Sequence, residues 1–497
     1  MRRGRAMPSR LLGWLCLAVV LVRGTYVLEP LRSDEAGYLY IARQAHLGGE
    51  FMYGDYYVDR PPLLMVIFKV AALTDWDPMI RLLTIPFAVV FVLAAARAAF
   101  HVGGEVGARW GPAVAAAFIC TPAMAADQAD GALFAAVFVM VGLALALSAW
   151  RATTSGGRLG LAYAAGAFAG AAPLLKQNFL DALLFIAVLV VARAVRDRRL
   201  DERGLTVSLA GAAGALTPHV LLWLWALAAG IEPLSLWRDL ALFRGEAFGV
   251  ILSDSLEAPL RRAAALVVLG LVSGVLLVVV LWFRQVGPRV VAWTPLEWAI
   301  SATTAFGMTA IVAGGSYWPH YLLQLAPVGV LALAVVVGGR LGDPRPMQGA
   351  ARIAVGSAIV GAVLVAVVYA TTPWVWFHQR TGEWLAASGQ VGDTAVVLYG
   401  NAAVLEAADM RSPYPHLWSL PMRTLDPDQS RLRATLSGPS SPLWVVELVP
   451  VNSWNIDEAG SLRDLLDRRY RVVGEVCGFP VWLRDDVDRR PAPQPDC

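Results

Sequence analysis

SDEAGYLYIARQAHLGGEFMYGDYYVDRPPLL, residues Ser33 to Leu64, is the stretch whose reading decides the fold. It separates two apolar segments and carries Asp34 and Glu35 at one end and Asp55, Asp59 and Arg60 at the other, closed by Pro61 and Pro62. So many ionisable groups in so few residues cannot cross a bilayer. The stretch is a loop at a membrane face, and the remaining apolar segments are arranged around it.

Composition sets the class. Of 497 residues, 57% are hydrophobic and 16% charged, and the mean hydropathy is +0.56. This is too apolar for a soluble protein and describes a polytopic membrane protein. The net charge of +3 says little about partners, because in a membrane protein the side on which charge sits matters more than its sum. Nothing in the chain suggests nucleic-acid binding. Cys16 and Cys120 fall in apolar segments without metal-ligand spacing and read as packing residues.

The basic start MRRGRAMPSR precedes the apolar run Leu11 to Leu28, and no small-x-small cleavage site follows it. A retained first span with a cytoplasmic N-terminus is expected. Pro61 to Leu73 is about 13 residues long, short of the roughly 20 that a span needs. It reads as a re-entrant or interfacial helix. Further apolar segments at 79–98, 110–126, 131–150, 159–175, 179–194, 205–231, 263–283, 291–313, 321–337 and 353–371 bring the count to about eleven spans.

The arginines test this count. With Pro61 to Leu73 excluded, Arg97 to Arg109, Arg151 to Arg158, Arg193 to Arg203, Arg284 to Arg289 and Arg340 to Arg352 join the N-terminal arginines on the cytoplasmic side. Counting it as a span would place these clusters outside. Under this topology the opening loop, Asp127 and Asp130, Lys176 and Gln177, the long loop Glu232 to Arg262, and Ser316 to Tyr321 share the extracytoplasmic face.

From Pro373 onward the composition becomes that of a soluble domain. Residues 1–372 form the membrane domain, and 373–497 a small extracytoplasmic α/β domain ending in a flexible tail, RRPAPQPDC. Strands are expected at 394–399, 443–449, 471–476 and 480–483, and helices at 377–387, 402–410 and 458–468. No catalytic motif stands out in it. Its position permits a Cys477 to Cys497 disulfide, although Cys497 ends the tail.

Each charged cluster has two readings. Asp34 is a candidate general base, and Asp59 a candidate metal ligand or acceptor-orienting group. Equally, Asp34 and Glu35 would cap an interfacial helix from Glu35 to His46. Lys176 and Arg60 would meet a phosphate, yet a lysine at a helix end is ordinarily a snorkelling anchor. Tyr317, Trp318 and Tyr321 suit an aromatic belt, to which His320 adds a donor a belt does not need. Asp127 and Asp130 suit caps for the helix starting at Gly131.

Together the motifs Asp34-Glu35-x-x-Tyr38, Asp59-Arg60-Pro61-Pro62-Leu63, Arg81-Leu82, Asp130, Leu175-Lys176-Gln177 and Pro319-His320-Tyr321 with Gln324 and Pro327 resemble the GT-C superfamily of polyprenyl-phosphate-sugar glycosyltransferases. The nearest branch is that of the protein O-mannosyltransferases and the lipid A aminoarabinose transferases. The resemblance implies a mainly α membrane bundle performing inverting transfer of a mannose- or pentose-type sugar from a lipid phosphate to an envelope glycan, lipid or protein. It implies Asp34 as base, with Glu35 beside it and Asp59 joining it at the acceptor or a divalent metal (Mg, Mn or Zn). Arg60, Lys176, His320 and Tyr321 are implied at the donor phosphate, with Asp130 and Gln177 nearby. The chain departs from the pattern in having Arg60 where many members have lysine, and His320-Tyr321 where some have Arg-Tyr. Its abundant arginine and alanine and scarce lysine suit a bacterium of high genomic GC content, hence the inner membrane and a polyprenyl carrier. A flippase or transporter of lipid-linked sugar is the rival reading; it predicts charges within spans and two similar halves, neither of which is visible. A catalytically inactive scaffold is the third.

Overall fold

The computed structural model of the chain describes residues 9–44, 49–199, 202–253, 257–372 and 376–497. Arg2, Arg3 and Arg5, the expected helix end at His46, and the start of the soluble domain at Pro373 lie outside these residues.

The first helix, α1 (Ser9–Tyr26), leads to α2 (Ser33–Gln44) and then to α3 (Pro62–Ala71). With ten residues at about 1.5 Å each, α3 covers only about 15 Å and does not reach across a bilayer. Two expected spans are joined in α4 (Met79–Cys120), which is broken at Gly104. The φ of 63° and ψ of −151° there suit glycine alone, and they turn the chain so sharply that Gly111 comes back against Ala95 and Ala99.

The bundle continues with α5 (Gly131–Ala149), α6 (Ser155–Ala171), α7 (Asp181–Asp197) and α8 (Glu202–Ala228). The segment expected as a long loop instead folds into α9 (Pro233–Trp237), a π-turn at Arg238–Leu242 and α10 (Phe243–Ser253). The expected span 263–283 is broken at Ser273-Gly274 into α11 (Glu257–Val272) and α12 (Val275–Val286). Then come α13 (Pro295–Ala313), a 3₁₀ segment Pro319–Leu325 running into α14 (Ala326–Val337), and α15 (Arg345–Thr371). Among the described residues seven helices are long and apolar enough to cross a membrane. They make this a multi-pass membrane protein. Surrounding helices enclose α5 and α14, whereas α8 and α15 turn most of their apolar surface outward, as lipid-facing helices do.

Beyond α15 a four-stranded sheet forms, with β1 (Ala395–Val397), β2 (Trp444–Val446), β3 (Tyr470–Val476) and β4 (Phe479–Arg484) in the order β1-β2-β4-β3. Only β1 and β2 are parallel. Helices α16 (Phe377–Ser388), α17 (Ala403–Ala408), α18 (Ser419–Leu425), α19 (Ser430–Ser437) and α20 (Ser461–Arg469) surround the sheet. The chain end, read from composition as flexible, is held. Trp384 Nε1 donates to Ala492 O at 2.9 Å, Arg489 pairs with Asp393 at 2.9 Å, and Cys477 and Cys497 form a disulfide.

Candidate active site

Two chains of charge meet where α2, α3, α5 and the start of α14 converge. The first begins at Asp34, in the opening turn of α2. Its Oδ2 accepts from Tyr38 Oη at 3.1 Å and faces Arg60 Nη2 at 3.7 Å, while its Oδ1 accepts from Trp418 Nε1 at 3.0 Å. The side chain remains 36% exposed. Arg60 continues to Asp59 at 2.6 Å, and Asp59 in turn meets Arg244 of α10 at 2.7 Å. Burial alone would raise the Asp59 pKa, but Arg244 and Arg60 outweigh it and hold the carboxyl below its ordinary value. Gln177 Nε2 donates to the Asp59 carbonyl at 2.6 Å, fixing this corner from the turn before α7.

The second chain centres on Asp130, the N-cap of α5. Its Oδ1 accepts from Ala132 N at 2.6 Å and from Lys176 Nζ at 3.1 Å, and His320 Nδ1 lies 3.9 Å from Oδ2. Burial again pushes upward, but His320, Lys176 and the cap bond prevail and keep Asp130 ionised. Lys176 lies 5.5 Å from the ring centre of Tyr321, and Arg60 likewise from that of Tyr38. The charges of Asp130 and Arg60 act on each other, so the two chains line one space.

Glu35, adjacent to Asp34 in sequence, is turned away from this space. It is 1% exposed and accepts four hydrogen bonds: from Arg81 Nε at 2.9 Å, Arg81 Nη2 at 2.7 Å, Ala129 N at 2.7 Å and Arg32 N at 2.9 Å. Burial would raise its pKa, but Arg81 and the backbone donors more than offset this and hold it low. Glu35 caps α2 and ties it to the starts of α4 and α5, as its helix-capping reading expected. Asp34 does not cap; both its oxygens accept from side chains.

The donors present do not suit the expected metal. Arg60 stands between Asp34 and Asp59, where a shared cation would sit, and Arg244 occupies the other oxygen of Asp59. Among the described residues no group of three or more His, Cys, Asp or Glu is arranged to hold a metal ion. The Asp34–Asp59 pair as built does not fit a divalent ion.

One residue of the site, Trp418, went unread in the sequence, and a second, Arg244, was left open between an acceptor contact and a solvated connection. Arg244 lay in a mixed-charge segment without periodicity. Trp418 precedes α18 in the C-terminal domain, which had shown no motif at all. That domain seats itself on the first loop: Tyr40 Oη and Tyr56 Oη bond Ser412, Tyr57 N donates to Pro415 O at 3.1 Å, and Arg431 bonds Glu50 at 2.7 Å. The absence of a side chain at Gly37 admits the indole, since a Cβ there would come within 2.4 Å of Trp418.

No family model matches the sequence, and no curated protein matches it either. Solved structures do. ArnT from Cupriavidus metallidurans bound to undecaprenyl phosphate superposes with a TM-score of 0.63 at 15% identity, covering 95% of this chain and 98% of that one. Its apo form gives 0.60 at 15% identity, over 95% and 97% of the two chains. The Archaeoglobus fulgidus oligosaccharyltransferase tethered to an acceptor peptide gives 0.51 at 13% identity over 93% and 72%. Identities this low speak of architecture alone: over nearly its whole length this chain shares the fold of these structures.

Proposed function

We propose that the protein is a membrane glycosyltransferase that moves a hexosyl or pentosyl group from a polyprenyl-phosphate donor to a cell-envelope acceptor at the face carrying Asp34. In this reading Asp34 takes the proton of the acceptor hydroxyl as that oxygen bonds to the anomeric carbon. The bond from that carbon to the phosphate oxygen breaks on the opposite side, its electron pair leaving with the lipid phosphate, so the configuration inverts. Arg60, Arg244 and Lys176 neutralise the charge that develops there. Asp59 and Asp130 hold those cations in place, and Tyr38 and Trp418 orient the base. Glu35 acts through structure, by fixing the start of α2. No step is routed through a metal.

One observation carries the reading: a part-exposed carboxylate, oriented by two side-chain donors, lies beside a cluster of three cations, Arg60 before α3, Lys176 in the turn before α7 and Arg244 of α10. The ArnT structure, which holds undecaprenyl phosphate in the same fold, supports a lipid-phosphate donor. To test it, membranes carrying wild-type protein or Asp34→Asn are supplied with a panel of radiolabelled polyprenyl-phosphate sugars, and label in envelope material is counted. Label transferred by the wild type and lost in the variant is expected. Equal transfer by both would remove Asp34 from its role, and no transfer from any donor would favour a transporter or scaffold.

A further inference from the structure

Helices α5, α7 and α14 each have one end at the candidate active site. Their other ends, about 28 Å away for a helix the length of α5, enclose a cavity of about 330 Å³ together with the start of α13. Four arginines line it, Arg151, Arg193, Arg196 and Arg340. Arg151 donates to His101 O at 2.6 Å and Arg196 pairs with its neighbour Asp197 at 3.2 Å. Among the described residues the guanidiniums of Arg193 and Arg340 make no hydrogen bond and no ion pair within 4.0 Å; the charge of Asp197 reaches Arg193, which lies over the Trp150 ring at 4.1 Å.

A second feature is independent of the arginines. His101, in the cavity wall, is only 6% exposed; its Nε2 meets Ser148 Oγ at 2.9 Å, but its Nδ1 is buried with no partner. An orphaned buried polar atom calls for an explanation, and an absent ligand is one. Glu297, a carboxylate on the lining, is committed to its own helix, accepting from Thr294 N at 2.5 Å within a capping box. Its charge offsets the N-terminal dipole of α13 and leaves the arginines in excess on the lining.

Arginines at the ends of membrane helices are ordinary anchors. That accounts for their being on this face, but not for their convergence on a cavity or for the unpartnered imidazole nitrogen. We propose that this cavity binds the phosphodiester headgroup of an anionic phospholipid. Leu147, Leu189, Leu296 and Val335 supply apolar wall for the glycerol and first methylenes, which a free phosphate would not use. The volume stands at the lower end of the roughly 300–1,000 Å³ common for small organic ligands.

The test uses full-length protein in detergent and native mass spectrometry with added phosphatidylglycerol or phosphatidylcholine. Wild type should retain phosphatidylglycerol in preference, and Arg193→Gln/Arg340→Gln should weaken that retention about tenfold or more at an unchanged melting temperature. Arg284→Gln/Arg289→Gln, which removes two arginines outside the cavity lining, should behave as wild type. If the double variant folds poorly, Arg340→Gln alone, at the exposed mouth, carries the same expectation. Equal retention of the two lipids, or retention unchanged in the cavity variants, overturns the proposal. Displacement of the lipid by millimolar inorganic phosphate would overturn the lipid assignment in favour of a free anion. None of these outcomes depends on the transfer reaction.

Discussion

The two ends of α5, α7 and α14 treat charge in opposite ways. At one end Asp130 pairs with Lys176, and Asp59 with Arg60 and Arg244, so nearly every buried charge has a counter-charge in the protein. At the other end, four arginines line the cavity against a single lining carboxylate, Glu297, which is bound within its own capping box. Desolvated charge must be compensated from somewhere. The first end is organised to act on a ligand while already neutral; the second is organised to be completed by one.

The comparison can be broken most forcibly at Asp34, the carboxylate of the neutralised end left partly open. Asp34→Asn should lower transfer about 10²–10⁴-fold, the usual weight of a general base, with an unchanged unfolding temperature. A large loss of stability instead would mean that Asp34 belongs to the compensated scaffold. Arg81→Ala does the converse. Removing the cation beneath Glu35 leaves a buried carboxylate with no counter-ion, and a loss of about 3–5 kcal/mol is expected in denaturation of the detergent-solubilised protein. A loss under 1 kcal/mol would show that the pair is less isolated from water than its burial indicates.

A third test concerns the seam between the domains, where aromatic rings pack beside the Arg431–Glu50 pair. His416 packs there against Phe51, Tyr57 and Tyr414, and burial, then Arg431, lowers its pKa from the usual 6.5 to about 4. The folded protein therefore binds this proton less readily than the unfolded chain. Stability should be intact above about pH 6.5 and fall as pH drops towards 4, by at most about 3 kcal/mol from this group. His416→Phe should flatten that part of the stability profile, as followed by thermal unfolding between pH 4 and 7. A slope that persists unchanged would place its origin elsewhere. The smallest expected effect is none: a chelator should leave transfer unaltered, because Arg60 occupies the position between Asp34 and Asp59 that an ion would need. Activity abolished by chelator and restored by a divalent metal would refute that.

What the sequence revealed follows from where each residue sits. Asp130, Lys176 and His320 stand at the ends of long apolar segments, and the lengths of those segments alone bring such ends to one face. Asp34, Asp59 and Arg60 were visible because they interrupt apolar sequence. The four strands of the C-terminal sheet were each located to within a few residues by short β-branched runs. Arg244 was left open because its segment forms short helices with a π-turn, whose register no apolar period announces. The break at Gly274 was hidden because nothing apolar is interrupted there. Trp418 left no local signal, since its partner is 384 residues away in the chain. Glu35 was misleading in the opposite sense: its neighbour's exposure suggested a shared role, but consecutive residues on a helix point about 100° apart.

That same contact between Trp418 and Asp34 has a consequence in time. At about 5–20 residues per second, synthesis proceeds for roughly 20–80 s between the appearance of Asp34 and that of Trp418. During that interval the bundle can be inserting and closing around its polar corner while the indole that steadies the carboxylate does not yet exist. The site is therefore finished only when the last domain has been translated and folded, so a chain truncated or stalled before then would carry an intact bundle and an unready centre.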